Sequence, residues 1–133
     1  MPYKDKRKQS LAQYKYQKSK KGKATRSKYL RSKNAQTLRI LRDNKLKEEV
    51  LTHYSKSGHL NCCWKSCCVS DLDMLSLDHI KDDGSKDRKQ NNFLTGIKWY
   101  RWLRIHGFPK GLQTLCWNHQ WKKRLGGRYA LVR

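Results

Sequence analysis

Apolar positions are spread unevenly along the 133-residue chain. From Met1 to Lys33 they have no period: Tyr3, Leu11, Tyr14, Tyr16 and Tyr29 stand scattered in a polar run. From Asn34 to Tyr54 the pattern changes. Leu38, Leu41, Leu46, Val50 and Tyr54 recur at steps of three, five and four residues, with Ile40 and Leu51 beside them. That spacing predicts a helix, which Ser55 to Gly58 would end. Farther on, MLSLDHI alternates apolar and polar residues and predicts a short strand ending at Asp78-His79. Lys81 to Asn92 is polar, contains Gly84 and reads as a loop. Phe93 to His106, rich in Trp, Tyr, Leu and Arg, suits a helix that Gly107, Pro109 and Gly111 terminate. Leu112 to Leu115 reads as a second strand, and Asn118 to Leu125 as a short basic helix stopped by Gly126-Gly127. Three segments follow from this: an arm over 1–33, a helix over 34–55 and an α+β domain over 56–133.

Charge sharpens the picture. The chain carries 32 Lys and Arg against 10 Asp and Glu, a formal charge of +22. Such an imbalance points to a polyanionic partner, above all nucleic acid. The arm holds 13 of the basic residues and one acid, and is expected to be frayed or only partly helical without its partner. Phosphates reward its cations, among them Lys20, Lys21, Arg26 and Arg31, and bases can stack on its tyrosines. There is no apolar run near 18 residues and no apolar segment of the kind an export signal has, so an intracellular, cytoplasmic protein that does not enter membranes is expected.

Five cysteines in such a chain read as metal ligands more readily than as disulfides. Cys116 and His119 have C-x-x-H spacing. Upstream lie Cys62, Cys63, Cys67 and Cys68. Two knuckles brought together would hold Zn2+ with three thiolates and one imidazole, and the metal would add folding energy to a domain short of core. Cys63 and Cys67 meet the knuckle spacing without strain. Cys62 with Cys67, or Cys63 with Cys68, remain open.

Four of the ten acids, Asp78, Asp82, Asp83 and Asp87, fall in one short region, with His79 beside the first. A carboxylate and an imidazole at a strand end can do two jobs. Asp78 can bind a hard divalent cation through oxygen. An imidazole titrates near neutrality, so His79 can take a proton from water. A metal at a phosphodiester would offset the charge that repels a nucleophile. By contrast, His53 and His106 read as surface or half-buried helix residues, and Trp99, Tyr100 and Trp102 as packing groups. Arg101 and Arg104 on that same helix, and Lys122 and Lys123 on the last, are candidate phosphate contacts.

The order of these pieces resembles a known family. A cysteine knuckle, then LSLDHI, a glycine-containing polar loop, WYRWL and GFPKGLQTLCWNHQWKK is similar to the HNH endonucleases, especially their small phage-encoded and homing forms. The resemblance covers roughly residues 50–123, and the opening MPYKDKRKQ also resembles small phage members. It implies a zinc-stabilised ββα-metal fold and a DNA endonuclease that uses Mg2+ or Mn2+ and leaves 3′-hydroxyl and 5′-phosphate ends. On that basis His79 is the general base and Asp78 the first ligand of the catalytic metal. Gln120 stands where the family has a further metal ligand, usually Asn or His. His119 stands where the second knuckle usually has Cys. Asp87-Arg88 stands where the family has a His-Arg pair, and Asp83 is a candidate substitute ligand. A non-catalytic zinc module that only binds nucleic acid is the rival reading.

Overall fold

The computed structural model describes residues 5–92 and 94–129, so Phe93, Tyr3 and the first residues of the arm lie outside the described residues. The chain divides into two compact units, one ending at Leu41 and the other beginning at Arg42.

The first unit, expected to be frayed or only partly helical without a partner, is built of helices separated at Ser19 and Ser32. α1 spans Lys6–Lys18 and α2 spans Lys20–Arg31. Side-chain caps hold these ends rather than a core. Asp5 accepts from the Arg7 N–H at 2.9 Å, and the Ser19 hydroxyl accepts from the Gly22 N–H at 3.0 Å. Such caps satisfy orphan backbone donors and are each worth about 1 kcal/mol. Gly22 passes so close to the Tyr16 carbonyl that a Cβ there would lie 2.0 Å from it. No side chain of α1 is buried, and Lys20, Lys21, Arg26 and Arg31 are exposed.

α3, Lys33–His53, is the helix the periodicity predicts, with its ends shifted by one or two residues. Its buried positions from Leu46 onward face the second unit's core. β1, Leu75–His79, pairs antiparallel with β2, Leu112–Cys116, in the register Leu75 to Cys116, Asp78 to Gln113 and His79 to Leu112. Between the strands run α4, Gly84–Gln90, and α5, Gly96–Ile105. α6, Trp117–Tyr129, follows β2 directly and packs on both strands. The fold is α+β.

Two expectations are corrected here. The segment expected as a loop contains α4, because the Asp83 carbonyl accepts from the Lys86 and Asp87 N–H groups and starts a helical turn. The pair Gly126-Gly127 does not stop the last helix, which continues to Tyr129. A glycine costs only about 1 kcal/mol in a helix interior, which the surrounding turns outweigh.

Two buried clusters hold the domain. Leu51, Leu75, Leu115, Cys62, Cys63 and Cys116 form one, with Trp64 and Cys67 at its margin. Leu46, Val50 and Leu103 form the other, with Trp99, Tyr100 and Trp102 against it, as packing groups should be. Thr114, fully buried, donates to the Leu51 carbonyl at 2.7 Å and so ties β2 to α3 without leaving an unpaired hydroxyl. Among the described residues no helix is long and apolar enough to cross a membrane.

Candidate metal centre and catalytic cleft

The end of β2 and the start of α6 carry the C-x-x-H pair. Because the helix begins at Trp117, Cys116 and His119 sit one turn apart, with the Cys116 Sγ 3.1 Å from the His119 Nδ1. The upstream knuckle turns on Ser66, whose φ of 64° lets the Cys67 N–H reach the Trp64 carbonyl at 3.1 Å. This turn aims Cys67 at Cys116, Sγ to Sγ 4.0 Å. Cys62 completes the set, with its Sγ 3.6 Å from the His119 Nδ1. The ligand atoms of Cys62, Cys67, Cys116 and His119 all lie within 4.8 Å of one another. A tetrahedral zinc ion with metal–ligand bonds near 2.3 Å to sulfur and 2.0 Å to nitrogen needs about 3.8 Å between sulfurs and about 3.5 Å between sulfur and nitrogen. The four groups are therefore spaced to hold a metal ion such as zinc. His119 is further fixed by stacking with Trp64, centroids 4.9 Å apart and planes at 9°.

The cluster takes Cys62 and not Cys63, which corrects the spacing-based choice. Neighbours on an extended segment point to opposite sides. The Cys63 N–H bonds the Thr114 carbonyl at 2.8 Å, and its thiol faces the Tyr54 carbonyl at 3.3 Å, away from the cluster. The Cys62 thiol instead accepts from the Cys116 N–H at 3.3 Å. Cys68 is exposed and takes no part. Burial pushes the Cys62 thiol up to about 11, whereas the Val69 backbone N–H lowers the Cys67 thiol. A bound cation reverses the first effect, since it stabilises the thiolate directly.

β1 delivers Asp78 and His79 to the opposite end of the sheet from Cys116, as its register requires. His79 and Asp78 line a cavity of about 580 Å3 with Asp87, Arg88, Gln120 and Arg124. Inside it the His79 Nε2 lies 3.3 Å from the Asp87 Oδ2. Asp87 is held in turn by the Asn91 side-chain amide, which donates to its Oδ1 at 2.7 Å. The imidazole stacks with Trp99, centroids 5.5 Å apart. Gly84 abuts the ring: a Cβ there would come within 2.9 Å of Nδ1 and 3.1 Å of Cε1. Those near-equal distances put the glycine over the ring face, so a side chain would push the imidazole out of place. A carboxylate only accepts, so Nε2 carries the proton toward Asp87 and Nδ1 is the basic nitrogen. Asp87, which the motif comparison marked only as a departure, is thus the carboxylate that the fold sets against His79. Its four-residue spacing from Asn91 on the α4 end was the available signal.

The residues expected to bind a catalytic divalent ion are brought together in part: Asp78 and Gln120 line one cavity, and Asp83 lines another. Lys123 takes the place beside Asp78. Its ammonium lies 2.7 Å from the Asp78 Oδ2 and 2.9 Å from the Asp82 Oδ1, and also donates to the His79 carbonyl. All three ammonium donors are thereby used. Burial alone would lower the Lys123 pKa, but the hydrogen bonds and charges of Asp78 and Asp82 raise it. Gln113 adds a second donor to Asp78 at 2.8 Å. The Gln120 amide nitrogen is turned to the Ser76 hydroxyl and the Leu77 carbonyl. Asp83 lines a different hollow, with Lys86 and Pro109. In this arrangement the Asp78 carboxylate is held by Lys123 and Gln113 rather than left open toward Gln120 or Asp83. Among the described residues, the Cys/His group is the one cluster of three or more His, Cys, Asp or Glu spaced to hold a metal.

Of the remaining candidates, Arg104 pairs with Glu49 at 3.2 Å, while Arg101 and Lys122 are exposed. His53 stacks on Phe108 and the His106 ring meets the Trp102 carbonyl at 2.8 Å; both are exposed residues at helix ends. Trp117 and Trp121, 56% and 58% exposed beside the cleft, were not singled out from the sequence, although their four-residue spacing next to Lys122 and Lys123 was visible there. No protein-family model, curated protein or solved structure matches the chain.

Proposed function

We propose that the chain is a zinc-stabilised DNA endonuclease of the HNH type, with His79 as general base. The observation that carries the reading is the His79–Asp87 pair inside a cleft rimmed by Arg88 and Arg124. In the step these residues support, the Nδ1 of His79 accepts a proton from water as the water oxygen bonds to phosphorus. The P–O bond to the leaving nucleoside oxygen then breaks, and that oxygen takes a proton from solvent. Asp87 stabilises the imidazolium that forms and holds the ring in the tautomer that leaves Nδ1 free. Arg88 and Arg124 offset charge on the phosphate oxygens. Cys62, Cys67, Cys116 and His119 would hold zinc, which would supply folding energy and stand apart from the chemistry. In the family it resembles a Mg2+ or Mn2+ ion offsets charge at the leaving oxygen.

The test is nicking of supercoiled plasmid by the zinc-loaded chain, with and without Mg2+ or Mn2+. His79→Ala should lower the rate about 10²- to 10⁴-fold, the usual span of a general base, while zinc content and DNA affinity stay near wild type. Asp87→Asn should also slow nicking, and the conservative Asp87→Glu should recover part of it. Wild-type protein that binds DNA and nicks it under none of these conditions would favour the second reading, a zinc module that binds nucleic acid without cutting it. The seat of Lys123 against Asp78 is the observation on that reading's side.

A further inference from the structure

We infer that the outer face of α6 is a stacking surface for unpaired bases, so that the chain engages nucleic acid preferentially where bases are out of the duplex. This deepens the nucleic-acid reading above and rests on it. Trp117 and Trp121 stand one helical turn apart and are more than half exposed, although indole rings are among the groups with most to gain from burial. Both line a second hollow, of about 550 Å3, with Asp78, Asp82, Gln120, Lys123 and Arg124, the two carboxylates being paired with Lys123.

The rings are held in place before any ligand arrives. The Trp117 Nε1–H donates to the Asp73 carbonyl at 3.3 Å. The Arg124 guanidinium lies 5.8 Å from the centre of the Trp121 ring. Such preorganisation lowers the ordering cost of binding. Four helical residues rise about 6 Å, and a base sandwiched between two rings needs about twice the 3.4 Å stacking distance, so a modest splay of the indoles admits one base.

Charge selects the occupant. A neutral apolar partner would want an apolar rim, but here Lys122 and Arg124 stand directly after Trp121, on a chain of net charge +22, while Lys123 is engaged by Asp78 and Asp82. Cations for phosphates and π faces for bases are together the recognition chemistry of single strands. Paired bases in an intact duplex hide their faces in the stack and can use only the cations. Arg124 lines both this hollow and the His79 cleft, so a strand whose base enters between the rings would carry an adjacent phosphate toward His79.

The experiment is fluorescence anisotropy on the zinc-loaded full chain at fixed salt, with a labelled single strand and the duplex of the same sequence. Trp121→Ala and the double variant Trp117→Ala/Trp121→Ala should each weaken single-strand binding about tenfold or more, the scale of one base stack. Duplex binding should change less than about threefold, because the phosphate-binding cations remain. Trp121→Phe should restore most of the single-strand affinity, which a merely structural defect would not allow. Wild-type binding to both forms with equal weakening on both, or with none on either, overturns the inference while leaving the nucleic-acid reading standing. Failure of the wild-type chain to bind either form overturns both.

Discussion

Exchanging the two adjacent cysteines one at a time separates ligand from core. Cys62 and Cys63 are neighbours, both buried, at 4% and 8% exposure. Only Cys62 faces the His119 Nδ1 and the Cys116 N–H. A structural zinc site contributes about 10–16 kcal/mol near neutral pH, so one ligand of four carries roughly 3–4 kcal/mol, or about 10²- to 10³-fold in zinc affinity. Cys62→Ala should weaken zinc binding by that much. Cys63→Ala removes one buried sulfur and its weak thiol interaction with the Tyr54 carbonyl. Its cost should be about 1 kcal/mol of stability, with zinc affinity unchanged. Zinc competition against a chromophoric chelator measures the first quantity, and thermal unfolding with and without zinc measures the second. Cys62→Ala should also forfeit most of the stabilisation that zinc gives the parent chain. A Cys63→Ala protein that releases zinc while Cys62→Ala retains it would refute the assignment and the extended-chain argument behind it.

Three further outcomes are expected. Lys123→Met leaves the Asp78 carboxylate, 16% exposed, with only the Gln113 amide beside it, and should cost about 2 kcal/mol in urea unfolding; if a divalent ion can enter once the ammonium is gone, Mn2+ will raise the midpoint of this variant more than that of the parent chain. Burial pushes Tyr54 from its ordinary 10.0 up to about 12, so between those values the unfolded chain ionises it while the folded chain keeps its proton; stability should fall as pH rises through that window, and Tyr54→Phe should flatten the fall in a pH series of unfolding curves. Removing residues 1–33, which hold 13 of the 32 Lys and Arg, should weaken DNA binding and flatten the plot of log affinity against log salt by roughly 0.9 for each phosphate that the segment neutralises, and an unchanged slope would mean that this segment does not touch DNA.

Local pattern determined a good deal of this molecule. The spacing of Leu46, Val50 and Tyr54 belongs to a helix with one buried face, and α3 forms there. Alternation in LSLDH gives β1, and C-x-x-H across a strand end places Cys116 and His119 together however the rest of the chain folds. Charge density is a sum over residues, so it too is legible without coordinates. The choices that decide the chemistry are of another kind, because they are made between residues far apart in sequence. Cys62 is selected over Cys63 by two backbone hydrogen bonds, one to Val69 and one to Thr114, and no knuckle spacing contains that information. Asp78 meets Lys123 across 45 residues, since α6 packs on β1, and this pairing sets an ammonium against the carboxylate expected to hold the catalytic metal. His79 finds Asp87 only because a polar segment that reads as loop closes into α4. Periodicity fixes which way a side chain faces relative to its own backbone. Which side chain it then meets depends on how elements dock, and docking follows the burial of Leu75, Leu103 and Leu115 across the whole domain.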